Sequence, residues 1–200
     1  MSAGPVSNPI DEQALIERAQ SGELAAFDQL VLRHQEAVFA VALRMLGNWD
    51  EAQDVAQDAF VRAYRAIRTF RREAKLSTWL ISITMNLCRN RRRWWARRKR
   101  VITASLDEPA DLEGESLGQQ VVDPSAGPED LAQQHEQQQQ IGNALKRLDQ
   151  THRSVIVLRD MQGYSYEEIA QMLGCHVGTV KSRISRARHA LRALLSEQDR

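Results

Sequence analysis

The sequence predicts an all-α fold in which two helical domains are joined by a flexible acidic linker and the C-terminal domain contains a helix-turn-helix. Apolar residues recur at helical spacing in both halves of the chain, and no stretch of any length alternates with the two-residue period of a strand. Between the halves lies a segment rich in Pro, Gly and carboxylates. The predicted boundaries are 10–100 for the first domain, 101–128 for the linker and 129–198 for the second domain.

The first domain is predicted to begin with two helices. A short helix runs from Ile10 to about Gly22, after a frayed segment 1–9 that contains two prolines. A second helix covers about Glu23–Leu46, and Gly47 ends it, because glycine adopts the left-handed conformation of a helix C-terminus without strain.

The third helix is predicted to start at a capping box formed by Asn48 and Glu51 and to end near Thr69. Three carboxylates lie one turn apart on its surface; we call them the acidic stripe: Asp50, Asp54 and Asp58. Like charges at this spacing repel by a few tenths of a kcal/mol per pair, on the order of 0.2–0.5. Two interpretations stay open, a solvated face or a surface that docks onto a basic partner helix.

Residues 70–75, FRREAK, interrupt the helical pattern and predict a loop, and Ser77 is predicted to cap the fourth helix. This helix ends, by the same pattern, with Trp94 and Trp95. Residues 86–100 contain eight cations and no acid: Arg89, Arg91, Arg92, Arg93, Arg97, Arg98, Lys99 and Arg100. Such a cluster repels itself unless it meets a polyanion. The two tryptophans suit either stacking on unpaired bases or packing in a helical core.

The linker carries the opposite charge. Between positions 104 and 131 there are eight carboxylates and no base: Asp107, Glu108, Asp111, Glu113, Glu115, Asp123, Glu129 and Asp130. With three glycines and little apolar periodicity, the segment is typical of a flexible spacer.

The second domain is predicted to hold a glutamine-rich helix from Glu129, a helix over 151–161, and then a helix-turn-helix. Ser165 and Glu168 form a capping box for the first helix of this unit, and Gly174 ends it. The second helix begins near Val177 with one apolar stripe and basic remaining faces. Its small outward residues allow close approach to base edges, and its cations neutralise phosphates: Thr179, Ser182 and Ser185, with Lys181, Arg183, Arg186 and Arg188. A solvated amphipathic helix is the alternative.

Composition excludes several classes of protein. The 27 basic and 26 acidic residues leave a net charge of +1, so the segregation of charge is more informative than its sum. The two cysteines, Cys88 and Cys175, are far apart, which argues against a disulfide framework or zinc site and fits a reducing cytosol with both thiols buried. No signal peptide or membrane-spanning run is present, so we expect a cytoplasmic protein without membrane insertion. No nucleophile, metal-ligand or phosphate-loop pattern points to an enzyme, a cofactor or a metal.

Two separated segments resemble one family. SYEEIAQMLGCHVGTVKSRISRARHALR resembles the −35-reading segment of extracytoplasmic-function sigma factors. DEAQDVAQDAFVRAYRAIRTF followed by STWLISITMNLCRNRRR is similar to the core-binding and −10-reading segments of the same group. Their order and spacing agree as well, so the resemblance covers most of residues 10–196.

The resemblance implies a non-enzymatic initiation factor that binds the β′ clamp coiled coil of core RNA polymerase, recognises promoter DNA and is held inactive by an anti-sigma factor. It implies polymerase contacts from Asp50, Asp54, Gln57 and Asp58, and −35 contacts from Thr179, Lys181, Ser182, Arg183, Ser185, Arg186 and Arg188. The −10 contacts it implies are Arg71, Arg72, Lys75, Trp79, Asn86, Arg89, Asn90 and Arg93. His176 stands where the family often has proline, and the Arg71-Arg72 pair is unusual. A stand-alone helix-turn-helix regulator remains the alternative.

Overall fold

The computed structural model describes residues 9–103 and 128–198 and confirms the all-α fold class with two helical domains. The helices are α1 Pro9–Gln20, α2 Leu24–Leu46, α3 Trp49–Ala66, α4 Leu76–Thr103, α5 Pro128–Arg147, α6 Gln150–Ile156, α7 Tyr166–Leu173 and α8 Val177–Gln198. A 3₁₀ turn, Ile67–Thr69, follows α3, and a π-helical turn, Val157–Met161, follows α6. Within these residues there is no strand.

The N-terminal domain is built around the packing of α2 on α1, α3 and α4. Small side chains allow α3 to pack closely on its neighbours: Ala52, Ala59 and Ala63 are fully buried. Gly47 ends α2 with φ 74°, and its N–H donates to the carbonyl of Leu43 over 2.7 Å. The predicted end of this helix is therefore confirmed.

The C-terminal domain contains the predicted helix-turn-helix. Ser165 and Glu168 form a reciprocal capping box, with bonds of 3.1 Å from Glu168 N to the Ser165 hydroxyl and 2.9 Å from Ser165 N to the Glu168 carboxylate. Gly174, at φ 62°, ends α7. Ile169, Val180 and Ile184 are buried where α7 meets α8.

The two domains pack against each other. α7 lies on α4, and α5 and α6 contact α2 near its C-terminal end. At this contact a Cβ on Gly47 would lie 2.7 Å from the Cε of Lys146, and the flexible lysine side chain can move away, so it is the φ of 74° that favours glycine here. The predicted linker separates these domains in sequence, and its residues 104–127 lie outside the described part, as does the N-terminal segment 1–8.

A buried arginine joins the domains. Arg153 of α6 is 2% exposed, and its Nη1 donates to the carbonyl of Met45 at the end of α2 over 2.8 Å. Its Nη2 donates to the carbonyls of Lys146 and Leu148 at the end of α5. One cation therefore caps the C-terminal ends of two helices, one from each domain, where helix dipoles favour positive charge. Burial lowers the pKa of this guanidinium to about 9, which leaves it charged at neutral pH.

Several local predictions need correction. Asn48 accepts from Glu51 N over 2.9 Å, but the Glu51 carboxylate accepts from Trp95 Nε1 instead of returning to the Asn48 backbone, so only half of that capping box forms. Ser77 lies inside the first turn of α4, because the helix begins one residue earlier. The same helix continues past the tryptophans to Thr103, into the predicted linker, because no helix-breaking residue follows them.

Candidate nucleic-acid interface

The exposed side of α8 carries the cations that the sequence predicts for duplex DNA. Lys181, Ser185 and Arg186 are exposed. Arg188 is also exposed, but it pairs with Asp160 of the preceding π-helical turn, with 3.0 Å between Nε and Oδ2, and this carboxylate raises the pKa of Arg188. A phosphate contact by Arg188 would therefore have to replace an existing ion pair.

The small residues of α8 are less open than expected. Thr179 and Ser182 are half-buried, and the Ser182 hydroxyl donates to the Thr179 carbonyl over 3.0 Å. Ser182 is thus engaged with its own helix, and Ser185 is the small residue most accessible to a ligand. The Nζ of Lys181 lies 5.8 Å from the centroid of the Tyr166 ring, within reach of a cation–π contact with α7.

Arg183 faces the other domain. It is half-buried, and its Nη1 lies 3.7 Å from the sulfur of Cys175. Together with Arg89 and Arg93 of α4 it lines a cavity of about 280 Å³, which we call the interdomain cleft; the other lining residues are Gln150, Thr151, Ser154 and Leu173. The structure thus brings residues predicted for two different DNA elements to one cavity.

The loop before α4 is held in place by α1. Gln20 donates to the carbonyls of Ile67 and Phe70 over 3.1 and 2.8 Å. Arg72 adopts φ 60°, rare for a residue with a Cβ, and pairs with Glu17 at 2.8 Å and with Gln20 Oε1 at 3.0 Å. A non-glycine residue in this conformation is maintained by surrounding contacts and is more common at ligand sites.

The remaining −10 candidates divide between this loop and α4. Arg71 and Lys75 are exposed, and Lys75 pairs with Glu168 of α7 at 3.1 Å, so the C-terminal domain lies over the loop. The half-buried Trp79 ring packs on Phe70, with 4.9 Å between centroids. Asn86 and Asn90 are exposed on α4.

The two tryptophans at the middle of α4 are surface residues. Trp94 is 41% exposed and Trp95 is 36% exposed, so they are not the helix-packing core that the sequence left open. Their rings contact each other edge to face at 4.8 Å, and the guanidinium of Arg98 lies 5.1 Å from the Trp94 centroid. This is an aromatic and cationic surface of the kind that binds single-stranded nucleic acid.

The acidic stripe is exposed on α3, and Asp54 pairs with Arg91 of α4 at 3.4 Å. Beside it, α2 and α3 enclose a shallow groove of about 700 Å³ that Gln57 lines and that we call the α2–α3 groove; its other lining residues are Val31, Gln35, Glu36, Phe39, Trp49, Gln53, Ala56 and Phe60. No local sequence pattern shows this groove, because its walls come from two different helices.

Other chemistry has little support in the part of the chain that the structure describes. No group of three or more His, Cys, Asp or Glu residues is placed to hold a metal ion there. Cys88 is buried, and burial raises the pKa of its thiol to about 12, whereas Cys175 is half-buried instead of buried as predicted. None of the helices in this part is both long and apolar enough to cross a bilayer.

Comparison with protein families gives two matches in this chain. Residues 30–100 match the model of sigma-70 region 2, and residues 138–191 match that of sigma-70 region 4. The chain is 36% identical to the RNA polymerase sigma-H factor of Pseudomonas aeruginosa, over 90% of this chain and 91% of that protein. It is also 36% identical to the ECF RNA polymerase sigma-E factor of Escherichia coli, over 93% of this chain and 95% of that protein.

Two solved structures resemble the whole arrangement. The first is the complex of the sigma factor RpoE with the anti-sigma factor NepR from Bartonella quintana, with TM-score 0.65, 28% identity and coverage of 85% of this chain and 96% of that one. The second is CnrH in complex with the cytosolic domain of CnrY, with TM-score 0.65, 29% identity and coverage of 94% and 98%.

Proposed function

The chain belongs to the sigma-70 family of RNA polymerase sigma factors, in the extracytoplasmic-function group, and from this premise we propose that it binds core RNA polymerase in the cytoplasm and directs it to a subset of promoters without catalysing a reaction itself. The observation that carries the proposal is the presence, in one chain, of a region 2 match and a region 4 match, each with its own exposed charged surface.

The α2–α3 groove and the acidic stripe beside it are the surface that we propose for polymerase. An apolar groove with aromatic walls supplies affinity, and a rim of carboxylates supplies register and a faster encounter with a basic helix such as the β′ clamp coiled coil. Trp49 is 38% exposed at the edge of the groove, and Gln57 reaches into it. We assign Asp50 and Asp58 to the rim, and Asp54 also, after release from Arg91.

We propose that the loop 70–75 and α4 bind the −10 element. The loop is pre-positioned by Gln20, and α4, which follows it, carries Arg93, Trp94 and Trp95 exposed on its surface. Extrusion of a base costs a few kcal/mol, about as much as one or two base-stacking contacts recover. A rigid loop reduces the ordering cost of capture.

We propose that α8 enters the major groove of the −35 element. Arg186, exposed and without an ion pair among the described residues, is our choice for a base contact, while Lys181 and Arg188 contact phosphates. Arg183 and the cations of α4 share the interdomain cleft in this arrangement, so the domains must separate before both promoter elements can be bound. We call the packing of the two domains against each other the closed arrangement, and we propose that it is the form of the chain that does not bind a promoter.

Regulation by an anti-sigma factor is part of the proposal. Both solved relatives with a TM-score of 0.65 were determined in complex with a partner, and one of those partners is named as an anti-sigma factor. The open α2–α3 groove offers such a partner an apolar surface on this chain that polymerase would also need.

The proposal is tested by transcription with purified chain and core polymerase on a library of genomic fragments. We expect transcripts from a small set of promoters that share a −35 and a −10 element, and none without the chain. A gel shift without polymerase is the companion measurement. Tight, specific duplex binding by the chain alone, with no transcript in the presence of polymerase, would instead identify a stand-alone helix-turn-helix regulator.

A further inference from the structure

The interdomain cleft has an excess of hydrogen-bond donors and positive charge. Three of its seven lining residues are arginines, two from α4 and one from α8, and no carboxylate lines it. Leu173 is the one apolar side chain among them. A cavity with this lining is unsuited to an apolar ligand and to a cation.

The three guanidiniums have few hydrogen-bond acceptors in the part of the chain that the structure describes. Arg89 Nη1 makes a long contact of 3.3 Å with the amide oxygen of Asn86, and Arg183 Nη1 has only the weakly accepting sulfur of Cys175 at 3.7 Å. Within residues 9–103 and 128–198, none of the three cations has an acidic partner. Since each guanidinium carries five N–H donors, most of the donors in this cleft are available to a ligand.

The carboxylate next in sequence to the cleft is already engaged. Asp149, next to the lining residue Gln150, accepts from the backbone N–H groups of Thr151 and His152 over 2.8 and 3.1 Å and pairs with the His152 ring. Beyond the cleft two further cations, Arg92 and Arg153, lie close together: after the larger effect of burial, the charge of Arg92 lowers the pKa of Arg153, and the Asp149 carboxylate acts in the opposite direction. Closure of the domains therefore collects like charges across the interface, although the Arg153 contact with Met45 and the apolar packing favour closure.

We propose that the interdomain cleft is a binding site for a small oligophosphate anion, and that its occupancy favours the closed arrangement. Guanidinium forks bind phosphoryl oxygens in pairs, and hydroxyl and amide side chains such as Thr151 and Gln150 add further donors. Cations come from both domains, so an anion with two linked phosphoryl groups satisfies both sides at once. A ligand that binds only the closed form shifts the population towards that form by mass action.

This site goes beyond promoter recognition and would oppose it. The same three arginines are candidates for promoter contacts, so the anion and DNA would compete for them. That competition rests on the proposed function, whereas binding of the anion to the cleft does not, and the two are tested separately.

The test is calorimetric titration of the full chain with pyrophosphate at constant ionic strength, together with small-angle X-ray scattering. We expect saturable binding of one pyrophosphate per chain and a radius of gyration that does not increase when pyrophosphate binds. Arg183→Gln and Arg93→Gln should each weaken binding by tenfold or more. Arg186→Gln, on the same helix as Arg183 but outside the cleft, is the matched control and should change affinity by less than twofold.

Several outcomes would overturn the proposal. No heat beyond that of added sodium chloride, or equal losses in the Arg186→Gln and Arg183→Gln variants, would mean non-specific attraction. Orthophosphate binding as tightly as pyrophosphate would refute the bridging of two domains. Arg93 is exposed, so its variant should fold even if the half-buried Arg183 variant does not, and circular dichroism checks both. A chain opened by substitution of Arg153 should lose the site; unchanged affinity in an open chain would contradict an interdomain location.

Discussion

Replacing Arg153 with Met should open the chain without unfolding either domain. Arg153 is the buried cation that caps both α2 and α5, and its bond to the Met45 carbonyl, 2.8 Å long, crosses between domains. A buried hydrogen bond from a charged group contributes about 1.5–3 kcal/mol, so its loss should raise the ratio of open to closed chains by a factor of about 10–150. Met fills much of the same volume, which limits the cavity term.

Small-angle scattering measures this opening directly as an increase in the radius of gyration, and urea unfolding shows whether the domains remain folded. Arg147→Met is the matched control, because the Arg147 side chain is 50% exposed and its ion pair with Glu197 lies at the surface, where such a pair contributes about 0–1 kcal/mol. A lysine at position 153 cannot reach all three carbonyls and should give an intermediate result. If Arg153→Met and the control scatter alike, the buried guanidinium does not hold the domains together and the closed form has another cause.

The other predictions concern individual surfaces. A hydrogen bond from the Ser165 backbone lowers the pKa of the Glu168 carboxylate. The ionised carboxylate therefore stabilises the fold above its ordinary pKa of 4.5, and this stabilisation is lost as the pH falls through the folded pKa. Urea unfolding between pH 6 and 3 should show the loss, and Glu168→Gln should make the free energy of unfolding depend less on pH. Trp49→Ala should weaken binding to core polymerase about tenfold, by roughly 1–2 kcal/mol, with Leu24→Ala, exposed outside the groove, as control; equal affinities would exclude the groove. Arg186→Ala should weaken binding to the −35 element by about 1–3 kcal/mol and relax its sequence preference, measured by competition with base-substituted promoters. Arg188→Ala should instead weaken binding to all DNA sequences alike. If the sequence preference of Arg186→Ala is unchanged, Arg186 does not contact a base.

Local features of the fold could be predicted because a few neighbouring residues determine them. The Ser165–Glu168 box and the glycine ends of α2 and α7 follow from residues at most four positions apart. The Asn48–Glu51 box failed because a residue 44 positions away, Trp95, competes for the Glu51 carboxylate. A capping motif in the sequence identifies the local hydrogen-bond partner of each capping group, but not a residue from a distant part of the chain that competes for the same group.

The contacts between domains could not be predicted, because neither helical period nor composition identifies which faces meet. Arg153 stands just before the apolar run at 155–158, but a charged side chain there gives no sign that it is itself buried, yet it is among the largest fully buried side chains. The candidate DNA residues were found by type and spacing, but their grouping across the interdomain cleft depends on how two separate helices, α4 and α8, are placed. The α2–α3 groove likewise depends on how far apart two helices lie.

The helix α1 lies ahead of the segment that matches region 2, which begins at residue 30, and yet it braces the loop that we assign to the −10 element. Glu17 and Gln20 of α1 hold the loop, so residues outside the matched region 2 segment determine its conformation. A fragment trimmed to the matched segment would keep its groove on α2 and α3 but lose this support. With such a fragment, binding to core polymerase and separation of the promoter DNA strands could be measured independently of each other.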